Sequence, residues 1–404
     1  MTKHVASRAL VPSFQVMDIL DRVAQLRAAG RDVVSLCAGE PSGGAPRAVN
    51  EAAAELHGSG RSLNYTPALG LTELRENIAA HYQRWYGATV SPGNIGVTTG
   101  ASGAFMLLFL AAFNAGDRVA LARPGYPAYR NILSALGINV VEVATDLSTR
   151  FQPTPELLDQ AQAEHGHIDG LILASPANPT GTMVNRAELE ALVEWCTEHD
   201  VRLVSDEIYH GITYGAAGEK GARGVSAVEL DPTAIVISSF SKYWGMPGWR
   251  LGWAVIPDDL LPGVNALAGN VALCAPAPAQ YAAISAFSDD AYAEGDAAVA
   301  EFAKTRAVLL EALPRLGWGE AAPADGAFYL YADLGPALEG FEDAADYCSQ
   351  LLEEAHVALT PGADFDAEAG RSAVRLSFAA GADAVREAVE RIVAFQAGRP
   401  QSSV

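Results

Sequence analysis

AIVISSFSKYWGMPGWRLGWAVI, residues 234–256, places a glycine- and tryptophan-rich loop between two short apolar runs. AIVIS (234–238) and LGWAVI (251–256) are apolar on both faces, as strands buried inside a sheet are. Between them sits one ammonium group, Lys242, with Arg250 eight residues further on. A lysine held among aromatic and aliphatic groups loses hydration, which disfavours its charged form. The neutral amine is a nucleophile that bonds aldehydes. The alternative is a lysine whose stem packs on tryptophan while its head reaches water.

The same texture recurs along the chain. RVALA (118–122), INVVEV (138–143), GLILA (170–174) and VRLVS (201–205) also read as buried strands. Helical patterns lie between them, including ASGAFMLLFLAAF (101–113) and RAELEALVEWCTEH (186–199). That alternation predicts an α/β fold with a mostly parallel central sheet and helices on both faces. After about residue 285 long helical patterns (293–313, 341–355, 383–396) surround AFYLYADL (327–334) and AVRLSFA (373–379), which predicts a smaller α+β domain. The expected division is 45–285 for the large domain, with 1–44 and 286–404 forming the small one. The tail GRPQSSV (398–404) is expected to fray.

Ligands of open α/β sheets bind beyond the carboxyl ends of the strands. Those ends carry polar groups here. Residues 95–99 lead into Gly100, Ala101 and Ser102, the start of an apolar helix whose N–H groups suit a phosphate. Ser239 and Arg250 can add a hydroxyl and a guanidinium to the same anion. Tyr126 offers a ring for a flat heterocycle. Asn178 and Tyr209 can both hydrogen-bond a phenolate oxygen, although Asn178 also suits a plain turn. Asp206 ends a buried strand and needs a cationic partner, such as a protonated pyridine nitrogen or an arginine.

Together these segments resemble the fold-type I aminotransferases that use pyridoxal 5′-phosphate (PLP). SFSKYWGMPGWRLGW is similar to their lysine signature, and AGEP (38–41), NYTPALGLTELRENI (64–78), TTGASGA (98–104), PGYPAY (124–129), SPANPTG (175–181), DEIYH (206–210), DGAFY (325–329) and VRLSFA (374–379) follow in family order. The likeness is to class I, the bacterial aspartate aminotransferase branch, with actinobacterial members named aspartate or valine–pyruvate aminotransferases. It implies that Lys242 bonds the cofactor and then carries a proton, that Asp206 pairs with the ring nitrogen, and that Tyr209 and Asn178 hold the ring oxygen. Tyr126 takes the stacking position. Ala101, Ser102, Ser239 and Arg250 hold the phosphate. Tyr65 corresponds to a residue that reaches the neighbouring subunit's cofactor, so the resemblance implies a homodimer with shared active sites. Arg375, with Gly39 and Asn178 nearby, corresponds to the clamp on the substrate α-carboxylate; without the resemblance it reads equally as an ordinary surface arginine in a strand.

One departure bears on the substrate. Where many aspartate-using relatives carry a lysine that reads a distal carboxylate, this chain has Ser102. A distal charge without a partner is disfavoured in a partly dry pocket. The expected donor is therefore a small neutral or branched amino acid such as valine or alanine, with pyruvate or 2-oxoglutarate as acceptor. Aspartate transamination, a PLP-dependent elimination and a non-catalytic PLP-binding module are the competing readings. Arg61, Arg123 and Arg223 are cations with no assigned place, and His210 reads as structural.

Composition bounds the rest. The chain has 404 residues, is 50% hydrophobic, and carries a net charge of −21. Nucleic-acid binding needs clustered Lys and Arg and is not expected. Four cysteines lie far apart with no CxxC pair, so neither a metal site nor a disulfide framework is expected. No signal-peptide core opens the chain, and AFMLLFLAAF (104–113) is too short to span a bilayer. A soluble, cytoplasmic protein follows as the expectation.

Overall fold

The computed structural model describes residues 4–13, 15–215 and 223–398. All of the tail but Gly398 lies outside them. In chain order, helix α1 (Gln15–Ala28) leads to β1 (Val34–Ser35), α2 (Arg47–Gly58), α3 (Thr72–Tyr86), β2 (Ile95–Thr98), α4 (Gly100–Ala112), β3 (Arg118–Arg123), α5 (Pro127–Leu136) and β4 (Asn139–Ala144). Four more strands follow: β5 (Gly170–Ala174), β6 (Arg202–Asp206), β7 (Ile235–Ser239) and β8 (Gly252–Val255). The last four are β9 (Tyr329–Asp333), β10 (Val357–Ala358), β11 (Thr360–Pro361) and β12 (Ala373–Ser377).

Seven strands form the central sheet in the order β2-β8-β7-β6-β5-β3-β4. β4, β3, β5, β6 and β7 are mutually parallel. LGWAVI departs from the parallel order that prevails in the sheet: β8 runs antiparallel to both β7 and β2. The reason lies in the connection. The loop between β7 and β8 holds only a short turn at Pro247–Trp249, and a parallel neighbour usually needs an α-helix in the crossover to carry the chain back along the sheet.

Both faces of this sheet are buried, and the side-chain alternation shows how. Leu171, Leu173, Leu203 and Val236 feed one core, which also takes in Leu74 and Ile78 of α3 and Leu189 and Leu192 of the helix Arg186–Glu198. Their strand neighbours Ile172, Val204, Ile235 and Ile237 feed the other, against Phe105, Leu108 and Phe109 of α4. Period-2 geometry sends successive residues to opposite faces, so a strand between two helical layers must be apolar throughout. The helix Arg186–Glu198 starts with a capping box, in which Asn185 accepts from the Glu188 N–H and Glu188 accepts from the Asn185 N–H.

β11, β12 and β9 form an antiparallel three-stranded sheet, and β1 pairs with β10 in parallel. The helix Ala382–Ala397 packs on β1 and β10, and the long helix Asp289–Leu316 packs on that helix. Among the described residues no helix is long and apolar enough to cross a membrane.

Candidate active site

A cavity of about 480 Å³ opens at the carboxyl ends of β5, β6 and β7, a size suited to a cofactor with a small substrate. Gly39, Ala101, Ser102, Tyr126, Asn178, Asp206, Tyr209, Ser239, Lys242, Arg250 and Arg375 all line it. Residues separated by more than 300 positions thus meet in one space. Tyr65 does not join them; it is 80% exposed.

Lys242 follows β7 and points into the cavity, where Nζ donates to the carbonyl of Gly39 at 2.6 Å. Burial lowers its pKa to about 8, and the nearby Arg375 charge pushes the same way. A useful fraction of the amine is therefore neutral near physiological pH. Asp206 ends β6 and is buried. Burial raises its pKa to about 6, while hydrogen bonds from the Tyr129 hydroxyl and the Ile208 N–H, and the Lys242 charge, pull against that rise. The next residue, Glu207, turns away from the cavity and accepts from Ser205, Ser226 and the Ala227 N–H. Those bonds fix the turn that carries Asp206 and Tyr209.

An anion cradle lies at the other end. The first N–H groups of α4 have no acceptor within the helix, and Ala101 and Ser102 line the cavity there. Gly100 takes a left-handed φ of +68°, and a Cβ on it would lie 2.6 Å from Nη2 of Arg250. At Gly252 a Cβ would come within 2.8 Å of the Gly100 carbonyl carbon and 2.9 Å of the Ala101 nitrogen. Two glycines thus let β8 and Arg250 close on the start of α4. The Ser239 hydroxyl is set by Ser241 at 2.9 Å and by the Leu251 carbonyl at 3.1 Å. Helix N-terminus, guanidinium and hydroxyls form a donor set that fits a phosphate.

Arg375 is buried in β12, which overturns its reading as a surface arginine. Nη1 donates to Asn178 Oδ1 at 2.9 Å; Nη2 donates to the Cys37 carbonyl at 2.7 Å and to Thr360 Oγ1 at 3.3 Å. The other cations lie elsewhere. Arg61 reaches the Tyr281 hydroxyl, Arg123 pairs with Asp366 and Glu368, and Arg223 pairs with Asp296. His210 is buried beside Tyr86, away from the cavity, and burial lowers its pKa to about 3.

Sequence reasoning passed over several residues at the site. Tyr129 and Tyr329 lie within quoted segments, PGYPAY and DGAFY, but had no role. Val16, Met17 and Leu20 of α1, with Ile208, add an apolar wall, and Glu40 adds a carboxylate.

The family model described as aminotransferase class I and II matches residues 31–392. A valine–pyruvate aminotransferase of Mycobacterium tuberculosis is 48% identical over 393 residues, 97% of this chain and 98% of its own length. An aspartate aminotransferase of Geobacillus stearothermophilus is 35% identical over 99% of both chains. Among solved structures, that of an aminotransferase from M. tuberculosis superposes with a TM-score of 0.92 at 48% identity, covering 98% of this chain and 100% of that one.

Proposed function

The chain belongs to the class I and II aminotransferases, which use PLP, and on that premise we propose that it transfers the amino group of a small neutral L-amino acid, valine or alanine, to pyruvate or 2-oxoglutarate. One observation carries the substrate reading. Among the described residues the cationic side chains on the cavity are Lys242, Arg250 and Arg375, and each has a task before any distal group is considered. Ser102 stands where a further cation would read a dicarboxylate. The apolar wall from α1 favours a hydrocarbon side chain, and Glu40 repels a second carboxylate. The valine–pyruvate relative points the same way.

The assigned roles are these. Ser239, Arg250 and the N–H groups of Ala101 and Ser102 hold the phosphate. Asp206 keeps the proton on the ring nitrogen, Tyr209 and Asn178 hold the ring oxygen, and Tyr126 stacks on the ring. When bound, PLP supplies an aldehyde that bonds the substrate nitrogen and a ring that accepts the electrons released at Cα. Arg375 grips the α-carboxylate, with Gly39 and Asn178 beside it, and so fixes which Cα bond faces Lys242. Lys242 Nζ would take the proton from the substrate Cα and, with PLP bound, give it to the carbon that had been the cofactor's aldehyde. The 2-oxo acid product leaves before the acceptor enters, giving ping-pong kinetics.

The proposed division is a large unit of residues 45–285 and a small one of 1–44 and 286–404; residues of both line the cavity. A homodimer with shared sites is supported by exposed Tyr65, Val271 and Leu273. Gly269, in the helix that carries Val271, packs near Ala68, three residues from Tyr65. The cytoplasm is the proposed compartment, in keeping with four free cysteines.

The donor reading is tested by following the visible band of the PLP-loaded protein with one amino acid at a time and no acceptor. Valine and alanine should convert it to the pyridoxamine form. Faster conversion by aspartate, by about tenfold or more in kcat/KM, would overturn the neutral-donor reading.

A further inference from the structure

Tyr329 is fully buried and lines the cavity, yet none of the roles above falls to it. Strand register explains its place. β9 and β12 are antiparallel, with Tyr331 opposite Arg375 and Tyr329 opposite Ser377. Residues two apart on a strand share a face, so Tyr329 lies diagonal to Arg375, within reach of a long side chain. Its ring centroid is 4.6 Å from the guanidinium carbon of Arg375. Its hydroxyl is 2.7 Å from the hydroxyl of Tyr209, and the two rings meet edge-on with centroids 5.6 Å apart. The same hydroxyl is packed on the backbone at Gly39, where a Cβ would come within 3.1 Å of it. The Gly39 carbonyl in turn accepts from Lys242.

We propose that Tyr329 is a positioning residue that couples the two ends of the site: its hydroxyl donates to Tyr209 and aims the Tyr209 proton into the cavity, while its ring backs Arg375. This rests on the roles given above to Tyr209 and Arg375. A phenol has a single proton. A Tyr209 that donates into the cavity must therefore accept from Tyr329, and a hydroxyl that accepts becomes a stronger donor. Burial holds Tyr209 well above the usual tyrosine range, so the proton stays on it. On the other side, an aromatic face stabilises a buried guanidinium that has given up its water. Tyr329 thereby links cofactor electronics to carboxylate binding through one side chain.

The test compares Tyr329→Phe, Tyr329→Met and Tyr209→Phe as PLP-loaded proteins. Two quantities are read: the pH midpoint of the visible cofactor band, and KM for the amino donor against kcat. Loss of a donor to the ring oxygen should raise the midpoint by about half a pH unit or more in Tyr209→Phe. Tyr329→Phe keeps the ring and loses the hydroxyl, so it should move the midpoint the same way and leave KM within about twofold. Tyr329→Met keeps most of the volume but loses the aromatic face, and should also raise KM about tenfold. A Tyr329→Phe midpoint equal to wild type while Tyr209→Phe shifts would overturn the coupling alone. Silence in both would overturn the coupling and the role of Tyr209 together. If the methionine variant does not fold, the phenylalanine variant decides, since it removes one oxygen atom and keeps the packing.

Discussion

Lys242 Nζ donates to the carbonyl of Gly39 at 2.6 Å, across 203 positions of sequence. Lys242 follows β7 of the central sheet, and Gly39 follows β1 of the two-stranded one. The amine is thus tied at the point where the N-terminal stretch crosses the mouth of the large sheet. It is held there with its charge disfavoured by burial.

That placement sets a pH dependence. The pKa of Lys242 is lowered to about 8, so falling pH through this value protonates Nζ and removes the nucleophile, and rising pH restores it. Capture of PLP by the cofactor-free protein, followed by rapid-mixing absorbance, should accelerate through about pH 8 and then level off. A rate still climbing at the ordinary lysine value of about 10.4 would contradict the placement.

Tyr129 should matter through Asp206. A hydrogen bond to a charged group is worth about 1.5–3 kcal/mol, and here it opposes the upward push of burial on the carboxyl. Tyr129→Phe raises the pH at which Asp206 ionises. PLP affinity should fall about tenfold near pH 7 and recover in part above about pH 8, where the carboxylate is charged in both proteins. Fluorescence titration at the two pH values checks this; an equal loss at both would count against it.

Much of this was legible in the sequence because the chemistry sits at strand ends. Asp206, Ser239 and Asn178 each follow a short apolar run, and the run itself locates the cavity. Tyr129 escaped because it lies in the first turn of α5, where a tyrosine reads as core; the partner it reaches, Asp206, is 77 positions away. Tyr329 escaped for the same reason: its value lies in Arg375, on the neighbouring strand of its own sheet, and in Tyr209, on the turn after β6. The antiparallel turn of β8 was hidden because a strand buried on both faces has the same composition in either direction. The wall from α1 depends on where a terminal helix docks, which local periodicity does not encode.

Arg375→Lys tests the carboxylate grip. Lysine keeps the charge but cannot make the paired contacts to Asn178 and the Cys37 carbonyl. The kcat/KM should fall about 100-fold for donor and acceptor alike, with the cofactor spectrum retained. A loss confined to one of the two substrates would contradict a shared carboxylate site.

Ser102→Lys returns a cation to the cavity. The ratio of kcat/KM for aspartate over valine should rise about tenfold, measured with a common acceptor. No change in the ratio would mean that position 102 does not face the substrate side chain.

Shared sites can be tested with hybrids. Tyr65→Ala and Lys242→Ala proteins, each impaired, are mixed, unfolded and refolded together. If Tyr65 serves the partner's cofactor, a hybrid carries one intact site and activity rises above that of either parent. If Tyr65 serves its own chain, no gain appears.

The sharpest measurement is chemical. The sequence contains four lysines: Lys3, Lys220, Lys242 and Lys304. The PLP-loaded protein is reduced with borohydride, digested, and its peptides weighed. A pyridoxyl group on the peptide containing Lys242 is the predicted result. A label on any of the other three, or no label on a protein that transaminates, would contradict the assignment of Lys242 as the group that bonds the cofactor.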